Sequence, residues 1–216
     1  MSEDGKIDLE SELTLRHAFW FPLQSPIARK EVIQGGLLLL IPVVGWLLNM
    51  GHRIVMTHSM QHGQEAWPAW RDYPTLLRHG FFTFLGMVEY HLPAIALSAA
   101  GYWWEMPALH VCAGIAGLLA TMAVPGYMSH YCFTLDPREI FNPFRALRRA
   151  LESGTRYWRA WLIALAALFV SFAGLLALGV GFLFTSVWFW QVAGYSFANA
   201  MSRHFQLGSP RAKSFF

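Results

Sequence analysis

The sequence has little charge for its length. Only 13% of its 216 residues are Asp, Glu, Lys or Arg, whereas 55% are hydrophobic; a soluble domain usually carries about 25% charged residues. So few charges cannot cover the surface of a single soluble domain. The composition argues against that class and predicts an integral membrane protein.

The sequence predicts neither a disulfide bond nor a cleavable leader. Cys112 and Cys132 lie in one apolar stretch, and on a single helix they would be about 30 Å apart, too far for a disulfide bond. The first thirty residues carry five carboxylates and no apolar segment before Val32, which is unlike a signal peptide. We expect the N-terminal segment to be retained.

The net charge of +3 does not indicate nucleic acid, because no nucleic-acid motif accompanies the basic residues. Lys and Arg instead lie beside the apolar stretches, as is typical of chains that meet anionic lipid headgroups. We therefore expect membrane lipids, and not nucleic acid, as partners.

Stretches without Asp, Glu, Lys or Arg predict the membrane segments, since such a residue costs about 2.5–3.5 kcal/mol at a helix centre. These stretches are Val32–His52, Met106–Leu135, Ala160–Ser202 and, interrupted only by Glu89, His79–Trp104.

Two of these regions predict helical hairpins. A helix over Ala160–Ser202 would be roughly 64 Å long, about twice the hydrocarbon thickness of a bilayer, so it must fold back. The glycines in Leu178–Gly181 indicate the turn. Helices over Arg78–Tyr102 and Pro107–Phe133 form the other hairpin, and the tryptophans in the Trp103–Pro107 turn suit a membrane interface.

The first apolar stretch contains Pro42 and Gly45 near its centre, so it either crosses the membrane as a kinked helix or enters and returns. If it crosses, four basic residues lie opposite the other twelve; if it returns, all sixteen share one side. The positive-inside rule favours the re-entrant form, with both termini in the cytoplasm.

A basic connector, Asp136–Trp161, separates the hairpins. Asp136 and Asn142, each followed by proline, are candidate helix N-caps. Apolar residues recur at helical spacing among arginines, which predicts one helix in the headgroup plane, although a solvated connector is the alternative. The predicted lipid-binding residues are Arg138, Arg145, Arg148, Arg149, Arg156 and Arg159, each contributing about 1 kcal/mol near an anionic surface.

Glu89 is the only charged residue inside its apolar stretch, and it is a functional candidate for that reason. The polar residues expected near its depth are His91, Thr121 and Gln191. Since no second charge is predicted there, we expect a protonated Glu89 that hydrogen-bonds to Thr121 or Gln191. Such a bond serves either packing or a polar pathway.

No motif indicates catalysis, a metal or a cofactor. His58 and His62 have the i, i+4 spacing of metal ligands but lack a third ligand, and hydrolase and nucleotide-binding signatures are missing. Small residues at 113–114, 116–117 and 120 let another helix approach closely, from within the chain, a second copy or a partner.

Four stretches together resemble an uncharacterised family of prokaryotic integral membrane proteins known as domain of unknown function forty-thirteen. They are FWFPLQSPIARK at 19–30 running into Gly35-Gly36, IPVVGWLLNMGHR at 41–53, WPAWRDYPTLLRHG at 67–80, and the pair of apolar helices after the Phe-Asn-Pro-Phe region. Trp67 stands where the family often has leucine, and Ile27-Ala28 replaces a position that is often aromatic. The family has no assigned activity and implies no catalytic residue.

The sequence therefore predicts an all-α, polytopic protein of the bacterial cytoplasmic membrane. Its predicted parts are an N-terminal cytoplasmic or interfacial segment (1–31), a membrane domain with two transmembrane hairpins and the N-terminal apolar segment (32–204), and a C-terminal tail (205–216). We expect a non-enzymatic accessory or scaffold protein that binds anionic lipids, and a membrane partner or a second copy is a further candidate for binding. The alternative is a small transporter or channel subunit with Glu89 in a polar pathway.

Overall fold

The computed structural model describes residues 6–207 and is all-α, as predicted. This part of the chain forms eight α-helices: α1 (Leu15–Trp20), α2 (Pro26–Leu38), α3 (Val44–Gln61), α4 (Tyr73–Trp103), α5 (Pro107–Thr134), α6 (Pro143–Glu152), α7 (Gly154–Ser171) and α8 (Val180–Phe205). Short 3₁₀ turns occupy Phe21–Leu23, Pro137–Glu139 and Phe172–Leu176.

Three helical stretches within residues 6–207 are long and apolar enough to cross a membrane. They are α4, α5 and α7 with the 3₁₀ turn that follows it, Gly154–Leu176. Their length and composition make this a multi-pass membrane protein. The helix α8 falls outside this set, because serines, tryptophans and Gln191 lower its hydropathy.

Both predicted helical hairpins are formed. Asp72 caps the start of α4 by accepting a hydrogen bond from the Thr75 amide at 3.3 Å, and α5 begins at Pro107 after a short turn. The α7–α8 turn lies where the glycines indicated it, with positive φ angles of 54° at Leu178 and 76° at Gly179. Only a residue without a Cβ adopts the second angle without strain.

The first apolar stretch forms a helical hairpin, so the alternative of a single kinked helix is wrong. Successive contacts join Leu38 to Gly45, Gly35 to Asn49 and Glu31 to His52. This order requires α2 and α3 to run antiparallel. The turn between them exposes apolar side chains at Leu40, Ile41 and Val43.

The basic connector is not one helix. Asp136 caps only the 3₁₀ turn, Asn142 caps α6, and the chain turns again at Gly154, whose φ is 61°. Arg156 and Arg159 therefore lie at the start of α7 and not on the helix that carries Arg145, Arg148 and Arg149.

The predicted divisions of the chain can be placed on the helices. The division after residue 31 falls inside α2, and α8 continues to Phe205. Most of the predicted C-terminal tail, residues 208–216, lies outside the described residues.

The molecule has two differently packed regions. In the packed half, α3 lies at the centre against α4, α5 and α8, and Tyr127, Tyr131 and Ile54 are fully buried. The hairpin ends, residues 92–119 and 165–180, instead expose large apolar side chains such as Trp103, Phe169 and Leu178. α4 and α5 run through both regions, and the packed half also contains α6, most of α8 and residues 6–23.

Candidate functional site

The predicted lipid-binding arginines lie on α6, on the turn before it and at the start of α7, and we call this region the cationic surface. Glu139 pairs with Arg149 at 2.7 Å and with Arg145 at 3.5 Å, while Arg148 pairs with Glu152 at 2.7 Å. Arg138 and Arg156 are exposed and form no ion pair with a described residue. The ion pairs thus neutralise only part of the positive charge.

Arg159 joins the cationic surface to the N-terminal segment. Its guanidinium lies 2.7 Å from the carboxylate of Glu12. The hydrogen bond and charge of Arg159 hold the pKa of Glu12 below its ordinary value of 4.5.

Large apolar side chains lie among these arginines. The inner face of α6 contains the buried Ala146 and Ala150 and the half-buried Leu147, whereas Phe144 is 85% exposed and Leu151 and Trp158 are also exposed. Of the apolar residues at helical spacing in the connector, Phe141, Phe144 and Leu151 are exposed, while Leu147 packs on the core. Exposed aromatic and aliphatic side chains beside arginines are typical of a helix at a membrane interface.

The intramembrane polar residues are only partly brought together. The His91 Nε2 atom lies 3.2 Å from the Thr121 hydroxyl, and that hydroxyl donates to the Gly117 carbonyl oxygen at 2.8 Å. The half-buried Glu89 forms no hydrogen bond with a described residue. Gln191 is buried, with no partner in the described chain for either side-chain polar atom. The bond expected from Glu89 to Thr121 or Gln191 is therefore wrong.

A buried polar cluster around Glu31 was missed by the sequence analysis. The Glu31 carboxylate lies 2.6 Å from His52 Nε2 and accepts a hydrogen bond from the Ala69 amide at 3.1 Å. The Trp70 indole donates to the Glu31 carbonyl oxygen and stacks on the His52 ring, with 4.1 Å between centroids. These contacts fasten the connector before α4 to the α2–α3 hairpin. The residues that could have indicated this cluster from the sequence are Glu31 and His52, which lie at the borders of the first apolar stretch.

Arg53 was missed as well, since it was taken as the end of an apolar stretch. In the structure α3 continues for two further turns, and Arg53 lies inside the packed half, 8% exposed. Its guanidinium carbon lies 4.8 Å from the centre of the Trp190 ring, and one terminal nitrogen lies 3.7 Å from the Met128 sulfur. Arg53 also borders a cavity of about 300 Å³ between the two hairpins, the Arg53 cavity.

The rings of His58 and His62 lie with 4.1 Å between their centroids and are tilted by 39°. The Nδ1 atom of His58 lies 2.7 Å from the Cys132 carbonyl oxygen. No group of three or more His, Cys, Asp or Glu side chains in residues 6–207 is arranged to hold a metal ion.

Comparison with known proteins gives one match. Residues 35–184 match the family model described as "Protein of unknown function (DUF4013)". No curated protein and no solved structure matches the chain.

Proposed function

This chain belongs to the DUF4013 family, as its sequence predicted, and from its cationic surface we propose that it is a non-enzymatic accessory or scaffold protein that binds anionic lipid headgroups. Arginines with exposed apolar neighbours carry the proposal. Phe144, Leu151 and Trp158 insert among acyl chains, while Arg138, Arg145, Arg148 and Arg156 reach the phosphates.

The arrangement of the chain ends supports a cytoplasmic position for this surface. Arg203, near the end of α8, donates to the Ser11 carbonyl oxygen at 3.0 Å, and Arg159 pairs with Glu12. The first and last described segments therefore lie beside the cationic surface. The hairpin ends contain no Lys or Arg. By the positive-inside rule the chain ends face the cytoplasm of a bacterium, and the α4–α5 and α7–α8 turns lie across the inner membrane. This topology requires α8 to cross the membrane beside α7.

The α2–α3 hairpin completes this topology as a re-entrant element. Its turn is apolar and exposed, with Leu40, Ile41 and Val43 at the tip, and Glu31 and His52 are buried near its base. An exposed apolar tip is stable in hydrocarbon, and the reversal returns α3 to the side from which α2 entered.

A second copy or a partner helix has a place to pack on α5. Ala113 and Ala120 of the small-residue surface are buried within the chain, whereas a Cβ added at Gly114 would meet no atom within 4 Å. Close helix approach in lipid uses such positions.

Lipid retention tests the proposal. The variant with Arg138, Arg145, Arg148 and Arg156 all changed to Gln should retain less than about half of the phosphatidylglycerol that the wild type retains after exchange from mixed phosphatidylglycerol–phosphatidylcholine micelles into detergent, since each arginine contributes about 1 kcal/mol. Retained lipid is counted by native mass spectrometry.

The matched control changes Arg16 and Arg29, which are exposed outside the cationic surface, to Gln. The control should retain phosphatidylglycerol like the wild type. Equal losses in the two variants, or no loss in either, would refute lipid binding by the cationic surface.

The transporter alternative has less support, because Glu89 has no hydrogen-bond partner in the described chain and does not border the Arg53 cavity. We expect Glu89→Gln to leave solute flux in reconstituted vesicles unchanged. Lost flux in a folded variant would favour transport.

A further inference from the structure

Arg53 is a buried cation without a counter-ion. No carboxylate of residues 6–207 forms an ion pair with it, and its Nε atom is buried without a hydrogen-bond partner. The described contacts of its guanidinium are the face of Trp190 and the sulfur of Met128. A guanidinium has five N–H donors, and an aromatic face and a thioether do not satisfy them.

The packing around Arg53 keeps its side chain in place. Gly194 on α8 lies beside its stem, so that an added Cβ would be 3.2 Å from Cγ and 3.3 Å from Cδ of Arg53. A glycine at this point lets α8 approach without displacing the arginine. The guanidinium is therefore held inside the bundle, where a charge without a counter-ion is unfavourable.

The Arg53 cavity has the walls of an acyl-chain site. Its volume of about 300 Å³ is at the lower end of the range of about 300–1,000 Å³ for ligand pockets. Apolar side chains from four helices form most of its wall: Met87, Val124, Leu168, Phe189, Trp190 and Phe197. Thr121 and Trp190 at its border are exposed, so the cavity reaches the lateral surface that faces lipid.

We propose that the Arg53 cavity binds one anionic amphiphile, with its oxyanion on the Arg53 guanidinium and part of its alkyl chain against the apolar wall. The planar guanidinium binds either a carboxylate or a phosphate through two parallel hydrogen bonds. The head group is thus that of a fatty acid or of an anionic glycerophospholipid. This site is separate from the cationic surface, which binds headgroups from outside.

Tryptophan quenching by brominated amphiphiles tests the site, because Trp190 and Trp161 border the cavity. The probes, added to the detergent-solubilised full chain, are 9,10-dibromostearate, dibrominated phosphatidylglycerol and, as a neutral analogue, 9,10-dibromostearyl alcohol. We expect saturable quenching by at least one anionic probe at a concentration about tenfold or more below that needed with the alcohol, as expected for charge-assisted hydrogen bonds. The tighter of the two anionic probes identifies the head group.

The variants separate this site from the cationic surface. Arg53→Met should remove the preference for anions, and Arg53→Lys should retain a weaker one, because the charge remains but the paired donors are lost. The variant with four cationic-surface arginines changed to Gln should keep the full preference for anionic probes. A failed Arg53 proposal can therefore be distinguished from a failed proposal for the cationic surface. Inorganic phosphate alone should not compete.

Three outcomes would overturn the proposal. They are equal affinity for the alcohol and both anions in the wild type, an unchanged anion preference in folded Arg53→Met, and full displacement of the probes by inorganic phosphate. The wild-type comparison decides the matter even if Arg53→Met does not fold.

Discussion

The packed half and the hairpin ends use the same residue types for opposite purposes. Helix α5 runs through both regions. A Cβ on Gly126 would lie 2.1 Å from the Ala146 carbonyl oxygen, whereas one on Gly114 would meet nothing within 4 Å. On α5, Gly126 lets two helix backbones touch in the packed half, whereas Gly114 leaves an open surface in the hairpin end. Composition does not reveal this difference, because it depends on what lies opposite each residue.

The two regions also differ in where their polar side chains lie. Glu31, His52, Gln61 and Asn199 are buried in the packed half and form hydrogen bonds there. The hairpin ends carry exposed apolar side chains, with Leu178 at 96% exposure. A protein interior satisfies buried polar groups with hydrogen bonds, while hydrocarbon solvates apolar groups only. The packed half thus has the interior of an ordinary folded domain, and the hairpin ends are suited to lipid.

The largest difference in stability is expected when the same Gly→Ala change is made once in each region. Gly126→Ala should prevent stable folding, because its Cβ overlaps the backbone of α6 and no side-chain movement relieves the overlap. The matched change Gly114→Ala should keep or slightly raise stability, by up to about 1 kcal/mol, since alanine favours a helix over glycine. Size-exclusion chromatography and thermal unfolding in detergent measure both. Similar behaviour of the two variants would mean that the regions do not differ in packing.

The next largest effect on stability is expected from removing the buried carboxylate of Glu31. Glu31→Ala should lower the free energy of unfolding by about 3 kcal/mol, because it leaves His52 and the Ala69 amide buried without their acceptor. Glu152→Ala, which removes an exposed partner of Arg148, should change stability little. Denaturant unfolding in mixed micelles measures the difference. A Glu31→Ala variant as stable as the control would contradict the assigned role of the cluster.

Thiol labelling compares the two regions without perturbing the fold. Cys112 is exposed in a hairpin end and Cys132 is buried in the packed half. N-ethylmaleimide should modify one thiol per folded chain in detergent and both after denaturation, as counted by intact-mass measurement. Cys112→Ser should abolish the rapid modification. Equal labelling of both thiols in the folded chain would show that the packed half is open.

The smallest effect is a pH dependence at the exposed pair of Glu12 and Arg159. The pKa of Glu12 is lowered in the folded chain, so its ion pair stabilises fully above the ordinary pKa of 4.5. That contribution is lost as the pH falls through the lower folded value. Glu12→Gln should therefore reduce the stability difference between neutral and acidic pH slightly. A larger acid sensitivity in Glu12→Gln would reverse the sign and contradict the pairing.

The hairpins were predictable because their signal is local. A charge-free stretch longer than a bilayer is thick must fold back, and glycines mark where it does. The same reasoning placed the turn near Gly179 and the α4–α5 turn near Trp104. The reversal of α2 and α3 was left open, because Pro42 and Gly45 suit both a kink and a turn.

The candidate sites were less predictable because their contacts are distant in the sequence. Arg53 was treated as the end of an apolar stretch, although its helix continues and α8 supplies Trp190 and Gly194 around it. The partners of Glu31 come from α3 and from the connector at Ala69. Arg156 was assigned to the wrong helix, because nothing local distinguished Gly154 as a break from a residue within one continuous helix.

The contact between the first described segment and the last helix has a consequence for biosynthesis. Asn199 donates to the carbonyl oxygens of Leu9 and Ser11, and Phe21 stacks on Tyr195. A ribosome completes the segment with Leu9 and Phe21 long before α8 emerges, so these apolar residues lack their native contacts until α8 has been synthesised. Chains that stop before α8 keep this segment uncovered, which marks incomplete products for chaperones and proteases.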